Sequence, residues 1–171
     1  YYASRGLGDV YKRQILEEIG NAITHGVGSV LSIIAFILML ISSTNMNERI
    51  GGIIYFIGLF TLFTMSCLYH AFPYASKVKR VFRRFDYLSI YLLIGATFAP
   101  ILLEYIGGTL GVIFFIIQWV IIILGVTFVA IFGPSKLKVI HIILYFILGW
   151  SGLIFLPQMI KSDLGFFFYI F

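Results

Sequence analysis

Charge is what this sequence has least of. Asp, Glu, Lys and Arg make up 11% of its 171 residues and hydrophobic types 61%, where a soluble domain carries roughly a quarter charged residues. The few charges sit in short clusters between long apolar runs. That spacing excludes a single water-soluble core and requires a bilayer as solvent. Cysteine is nearly absent as well. A lone Cys67 inside an apolar run excludes an intrachain disulfide framework and a multi-cysteine metal site, and it reads as a small packed side chain. No Asp, Glu, Lys or Arg occupies the middle of any apolar run. Midplane charges mark proton relays and ion-coupled carriers, so their lack argues against a transporter. Cleavable signal, amphipathic pore helix and the alternating pattern of a membrane barrel are also missing, which argues against a secreted toxin.

What charge there is leans basic, with a net of +5. Most Lys and Arg lie in membrane-flanking links, so the balance reads as topology determination and attraction to anionic lipid, with no nucleic-acid partner. The first fourteen residues, YYASRGLGDVYKRQ, do not match the rest in composition. The string SRGLGDVYKRQ resembles translated sequencing-adapter sequence, so residues 1–14 are set aside as a non-native segment. Without them nine basic residues face six acidic ones, a net of +3.

Charge-free stretches run 19–47, 50–76, 87–103, 105–135 and 139–160. A span needs roughly 20 apolar residues, and in lipid only a closed helix satisfies its own backbone. Helices are therefore expected near 22–43, 50–72, 85–103, 109–132 and 138–157. A further apolar run, 164–171, is too short to cross, so the chain is expected to stop inside its next helix. Pro73 closes the second span, Gly133-Pro134 the fourth and Pro157 the fifth; Pro100 is expected to kink the third, and Gly107-Gly108 to make the following turn. Lys77, Lys79, Arg80, Arg83 and Arg84 crowd the link between spans two and three, while Lys136 and Lys138 lie between spans four and five. The positive-inside rule puts both links, and with them the N-terminus, in the cytoplasm.

On that topology His25, His70, Asp86 and His141 all fall at cytoplasmic helix ends. Ser66 and His70, four apart, share a helix face. The basic link returns the chain so that Asp86 lies at a depth similar to His70. A hydroxyl, an imidazole and a carboxylate are thus expected to converge near the inner leaflet boundary, a set suited to hold zinc and orient a water. Spacing alone leaves plainer readings open: His70 bonded to a backbone carbonyl, and Asp86 paired with Arg83 or Arg84. Glu18, Asn21 and His25, in the stretch that also holds Glu17 and Thr24, form a polar stripe on one face of the first helix, either a solvated amphipathic start or part of a site. His141 reads as packed or snorkelling before it reads as a ligand. Trp119 and Trp150, in mid-span, read as packing residues. Gly51-Gly52 permits close helix contact, without a GxxxG seam to propose a dimer.

The string EEIGNAITHGVG at 17–28 resembles the opening signature of the haemolysin III family. So do SCLYHAFP at 66–73 and FRRFDYLSIYLLIGATFAP at 82–100, and Trp119 with YFILGW at 145–150 fits the later pattern. The resemblance covers residues 15–171. It implies an all-α integral membrane fold, a seven-helix transmembrane bundle with a cytoplasmic N-terminus, here ending after five complete spans and the start of a sixth. Family members are bacterial relatives of the progestin and adiponectin receptors, in a superfamily with alkaline ceramidases. They look like zinc proteins, in which a histidine of the second helix and two of an HxxxH-type motif on the seventh bind the ion. The resemblance maps the first ligand onto His70, with Ser66 one turn before it and Asp86 opening the third helix. It leaves two ligands beyond this chain, so weak or absent zinc binding is expected of the 171 residues, with His25 or His141 as substitutes if zinc binds fully. The activity implied is a zinc-dependent hydrolase of lipid-like amides in the bacterial inner membrane, with Asp86 as general base. The alternatives are a membrane-damaging haemolysin and a receptor-like regulator of membrane homeostasis.

Overall fold

The computed structural model describes residues 2–74 and 76–161. The chain runs through α1 (Tyr2–Ser42), α2 (Met46–Ala71), α3 (Lys77–Pro100) prolonged by a π-helical turn (Ile101–Ile106), α4 (Gly108–Phe132), α5 (Lys138–Trp150), a 3-10 segment (Ser151–Phe155) and α6 (Leu156–Lys161). Among the described residues five helical stretches are long and apolar enough to cross a bilayer: Gln14–Ser42, Met46–Ala71, Lys77–Ile106, Gly108–Phe132 and Lys138–Gln158. This is an all-α multi-pass membrane bundle.

Its burial is inverted relative to a water-soluble protein. Ile41 and Val139 are 76% and 69% exposed, while Ser32, Ser66, Ser89, Gln118 and His141 are buried. Apolar side chains facing outward in this number require hydrocarbon around them. α2 packs most extensively against α1 and α3, and α3 goes on to pack against α4. α5 lies against α3 more than against its sequence neighbour α4. The core on that side gathers Tyr91, Ile122, Val129 and Leu148. Small residues set the close crossings: a Cβ on Gly58 would run into that of Ala96, and one on Gly125 into the Tyr91 ring.

Local chemistry sets the boundaries. α2 starts at a reciprocal cap: Asn45 accepts from the Glu48 N–H at 2.9 Å, and the Glu48 carboxylate accepts from the Thr44 N–H at 2.6 Å. It ends at Phe72, in extended conformation before Pro73. The third span begins at Lys77, not near residue 85, because Ser76 caps it by accepting the Lys79 N–H at 3.0 Å. The five basic residues therefore ride on the first turns of α3 and not in an open link. Pro100 does disturb the third span. It has no N–H to donate and its ring crowds the preceding turn; the helix widens into a π turn closed by Gly107 N–H on Leu102 O at 3.1 Å. Gly107 and Gly108 turn the chain with φ of 58° and 55°, which glycine adopts without a Cβ clash. Pro157 stands one residue before the end of the fifth span. It sits in the first turn of α6, directly after the 3-10 segment. Residues 2–14, set aside on composition, continue as helix into the first span. The short apolar run 164–171 lies outside the described residues.

Candidate functional site

α1 and α2 run antiparallel and are joined by polar rungs. Glu18, His25 and Ser29 lie seven and four residues apart, hence on one face of α1. Opposite them on α2 stand His70, Ser66 and Thr64. His70 Nδ1 lies 2.8 Å from Glu18 Oε2, His25 Nδ1 lies 2.7 Å from Ser66 Oγ, and Ser29 Oγ lies 2.7 Å from Thr64 Oγ1. The two imidazoles meet edge to face with centroids 5.7 Å apart. An ionised carboxylate has no proton to give, so Nδ1 of His70 is the donor in its bond to Glu18.

A third helix closes this end. Lys79, on the first turn of α3, reaches back under α2 with a side chain only 7% exposed. Its ammonium has three protons and all are used, on Glu18 Oε2 at 2.7 Å, Tyr69 O at 2.9 Å and Phe72 O at 3.2 Å. Those two carbonyls belong to the end of α2, where no further helical turn supplies donors. Lys79 thus caps α2, complements the negative end of its dipole, and binds the carboxylate of α1. The Tyr69 ring adds a cation–π contact 4.7 Å from Nζ.

The residues singled out in the sequence fall into two groups. Ser66 and His70 do share a face, and both look toward α1. Asp86 stands apart. Phe72 stacks on Phe82 at 5.2 Å and Gly58 abuts Ala96, a register that sets Asp86 opposite Leu68, at a depth between those of Ser66 and His70. Its carboxylate is half-buried and makes no hydrogen bond or ion pair among the described residues, with Arg83 and Arg84 or with the histidine. The carboxylate on His70 is Glu18. Neither Ser66 nor His70 takes a backbone carbonyl as partner. Of the α1 stripe, Glu18 and His25 are engaged, whereas Glu17 and Asn21 are exposed and Thr24 bonds back to its own helix. His141 is fully buried against Tyr91, whose hydroxyl lies 2.9 Å from Nδ1; it is packed and does not snorkel. Its Nε2 has no partner among the described residues. Trp119 packs inside, but Trp150 is 57% exposed and faces outward. Cys67 is unpaired and half-buried beside Gly26.

A groove of about 430 Å³ opens beside the cluster, with Glu18, His70 and Lys79 on one wall and Ile15, Ile19 and Phe72 among the apolar remainder. A larger apolar groove of about 820 Å³ lies between α3 and α5 and holds none of the candidate residues. No group of three or more His, Cys, Asp or Glu among the described residues is arranged to hold a metal. Sequence reasoning missed Lys79, which counted only as one of several topology-setting charges. The signal was there in Pro73 and Ser76, which together end α2 and start α3 so tightly that a lysine three residues on must lie under the end of α2.

A family model described as Haemolysin-III related matches residues 13–168. The chain is 32% identical over 154 residues to Hemolysin-3 of Bacillus cereus, covering 88% of this chain and 69% of that protein. Identity to the Hemolysin-3 homolog of Bacillus subtilis (strain 168) is also 32% over 154 residues, covering 71% of that protein. The Monocyte to macrophage differentiation factor of Homo sapiens is 28% identical over 158 residues, 66% of its length. No solved structure matches.

Proposed function

The chain belongs to the Haemolysin-III related family, and from that membership we propose that it carries the inner-leaflet half of a zinc site serving hydrolysis of lipid-like amides in the bacterial inner membrane. The observation that carries the reading is His70, whose Nδ1 is engaged by the Glu18 carboxylate at 2.8 Å. A metal-ligating histidine commonly donates its other ring N–H to a carboxylate, which fixes the ring and raises ligand basicity. The donor chemistry of His70 therefore fits zinc as one ligand. The other two ligands that the resemblance expects are not among the described residues. When bound, zinc supplies Lewis acidity to a carbonyl or a water.

The chain's own residues do the rest. His70 offers Nε2 to the metal. Ser66, one turn deeper, is held by His25 and orients polar groups around the site. Asp86, at a depth between Ser66 and His70, is the general base that takes a proton from the attacking water. The groove beside His70 has apolar walls for an acyl tail and Lys79 at its polar end. The basic first turns of α3 and Lys136 with Lys138 favour a cytoplasmic setting for this end, and with it a cytoplasmic N-terminus.

The test is turnover of a long-chain acyl amide by purified full-length protein in lipid nanodiscs with added zinc, against His70→Ala and Asp86→Asn. Wild-type turnover lost in both variants is the expected result. Equal rates in all three samples and a protein-free blank overturn the hydrolase reading. Zinc removal that lowers the melting temperature, with no turnover at any stage, would make the site structural, as in a receptor-like regulator. A membrane-damaging role is the second reading, favoured by the name of the Bacillus cereus relative. Haemolysis by purified protein that persists in His70→Ala would establish it.

A further inference from the structure

Glu18 and Lys79 form an arrangement that helix packing alone does not require. Both Lys79 Nζ and His70 Nδ1 bond the same carboxylate oxygen, at 2.7 and 2.8 Å. A lysine ammonium can only donate. It therefore demands an acceptor at that point, and whatever acceptor it holds there must take a proton from the histidine as well. In the neutral form of the His70 imidazole the single ring proton must therefore sit on Nδ1, the nitrogen that faces the shared oxygen. Lys79 is in turn immobilised by the two carbonyls at the end of α2, with no donor left over. The chain of constraint runs from the α2 terminus, through Lys79 and Glu18, to one nitrogen of one imidazole.

We propose that Glu18, pinned by Lys79, is a positioning residue that fixes the neutral His70 imidazole as its Nδ1–H tautomer and leaves Nε2 as the lone-pair nitrogen. The tautomer follows from the geometry alone; its use as a zinc donor rests on the reading given under Proposed function. Glu18 and Lys79 line the groove beside His70 but are not ligands of the metal in this scheme. They act through His70.

The chain has three histidines, so nitrogen NMR of the 171-residue protein with labelled histidine, in nanodiscs about two pH units above the ordinary histidine pKa, resolves each ring. Wild-type His70 is expected to show a protonated Nδ1 and an unprotonated Nε2. Glu18→Gln keeps this pattern, because Lys79 selects the amide oxygen for the shared position. Glu18→Gln with Lys79→Met loses it, since the amide is then free to turn over and present its N–H₂. Glu18→Ala also loses it. Unchanged His141 signals, from a ring buried against α3, show that each variant has folded. Zinc titrated to high concentration, because these residues supply one of the three ligands the resemblance implies, should move the Nε2 resonance of His70, with apparent affinity falling about 10- to 100-fold in Glu18→Ala. A wild-type His70 protonated at Nε2, or at both nitrogens, overturns the proposal. So does a tautomer that stays the same in Glu18→Ala. If the tautomer behaves as expected but zinc leaves Nε2 untouched, the positioning stands and the zinc reading falls.

Discussion

Lys79 permits a quantitative test of how the α1–α2–α3 end of the bundle is held. Replacing it with Met keeps most of its apolar stem and removes three hydrogen bonds, one of them to an ionised group. Breaking one partner of a fully buried ion pair costs about 3–5 kcal/mol, because the other charge is left uncompensated. Glu18 retains 27% side-chain exposure, so water recovers part of its solvation and about 2–3 kcal/mol is expected for Lys79→Met. Glu18→Gln leaves Lys79 buried with two carbonyls and a weaker third acceptor, and about 1–2 kcal/mol is expected. The double variant has no charge left to strand, so its loss should fall short of the sum by at least about 1 kcal/mol. Unfolding by sodium dodecyl sulfate in mixed micelles reads these values, with thiol labelling at the lone Cys67 of α2 as the reporter. Distant sites add within about 0.3–0.5 kcal/mol. Additivity of the two substitutions within that margin would refute the coupling of Lys79 to Glu18, and with it the account of what orders His70.

Other expectations follow from the same geometry. Tyr91→Phe removes the hydrogen bond to buried His141 and should cost about 1–3 kcal/mol, whereas Tyr91→Phe with His141→Leu should be less damaging than Tyr91→Phe alone, because no polar atom is left stranded; melting of the three variants decides. Gly125→Ala drives a methyl into the Tyr91 ring and should cost about 1–3 kcal/mol by overpacking, with Gly149→Ala, which meets nothing, as the neutral control. Reporter fusions at Ser135 should score as cytoplasmic and fusions at Gly108 as external; the reverse would dismantle the inner-leaflet placement. Ser29→Ala breaks a rung remote from His70 and should cost about 0.6 kcal/mol while leaving the His70 tautomer as it was; a changed tautomer would mean that the rungs act as one unit.

Much of the fold was legible in the sequence because a bilayer imposes a simple rule. Every backbone group in hydrocarbon must be satisfied within its own helix, so charge-free runs of span length translate directly into helices, and the five expected spans are present. What was less legible is how helix ends are finished. The start of α3 lies about two turns earlier because a serine hydroxyl caps it, and the fifth span narrows into a 3-10 segment before Pro157. Composition does not register such single bonds. The site divided in the same way. That Ser66 and His70 share a face follows from their spacing within one helix. Which carboxylate reaches the histidine depends on the crossing of two helices far apart in sequence, and there Glu18 takes the place that similarity of depth suggested for Asp86.

The α1–α2 contact shows why this end of the bundle, and not its middle, carries ionisable chemistry. In lipid, apolar surfaces gain little by meeting one another, so close packing and interhelical hydrogen bonds hold helices together. The rungs use the mildest groups at depth, Ser29 with Thr64, then a histidine with a serine, and a carboxylate with a histidine and a lysine only at the end of α2. That gradient tracks the rising cost of charge toward the bilayer centre. Hydroxyl rungs suffice for adhesion, and an ion pair is an expensive substitute where adhesion is all that is needed. The residues that exceed the structural requirement are Glu18, His70 and Lys79, and they are the ones that border the polar end of an apolar groove. Function is therefore to be sought where the rungs become charged.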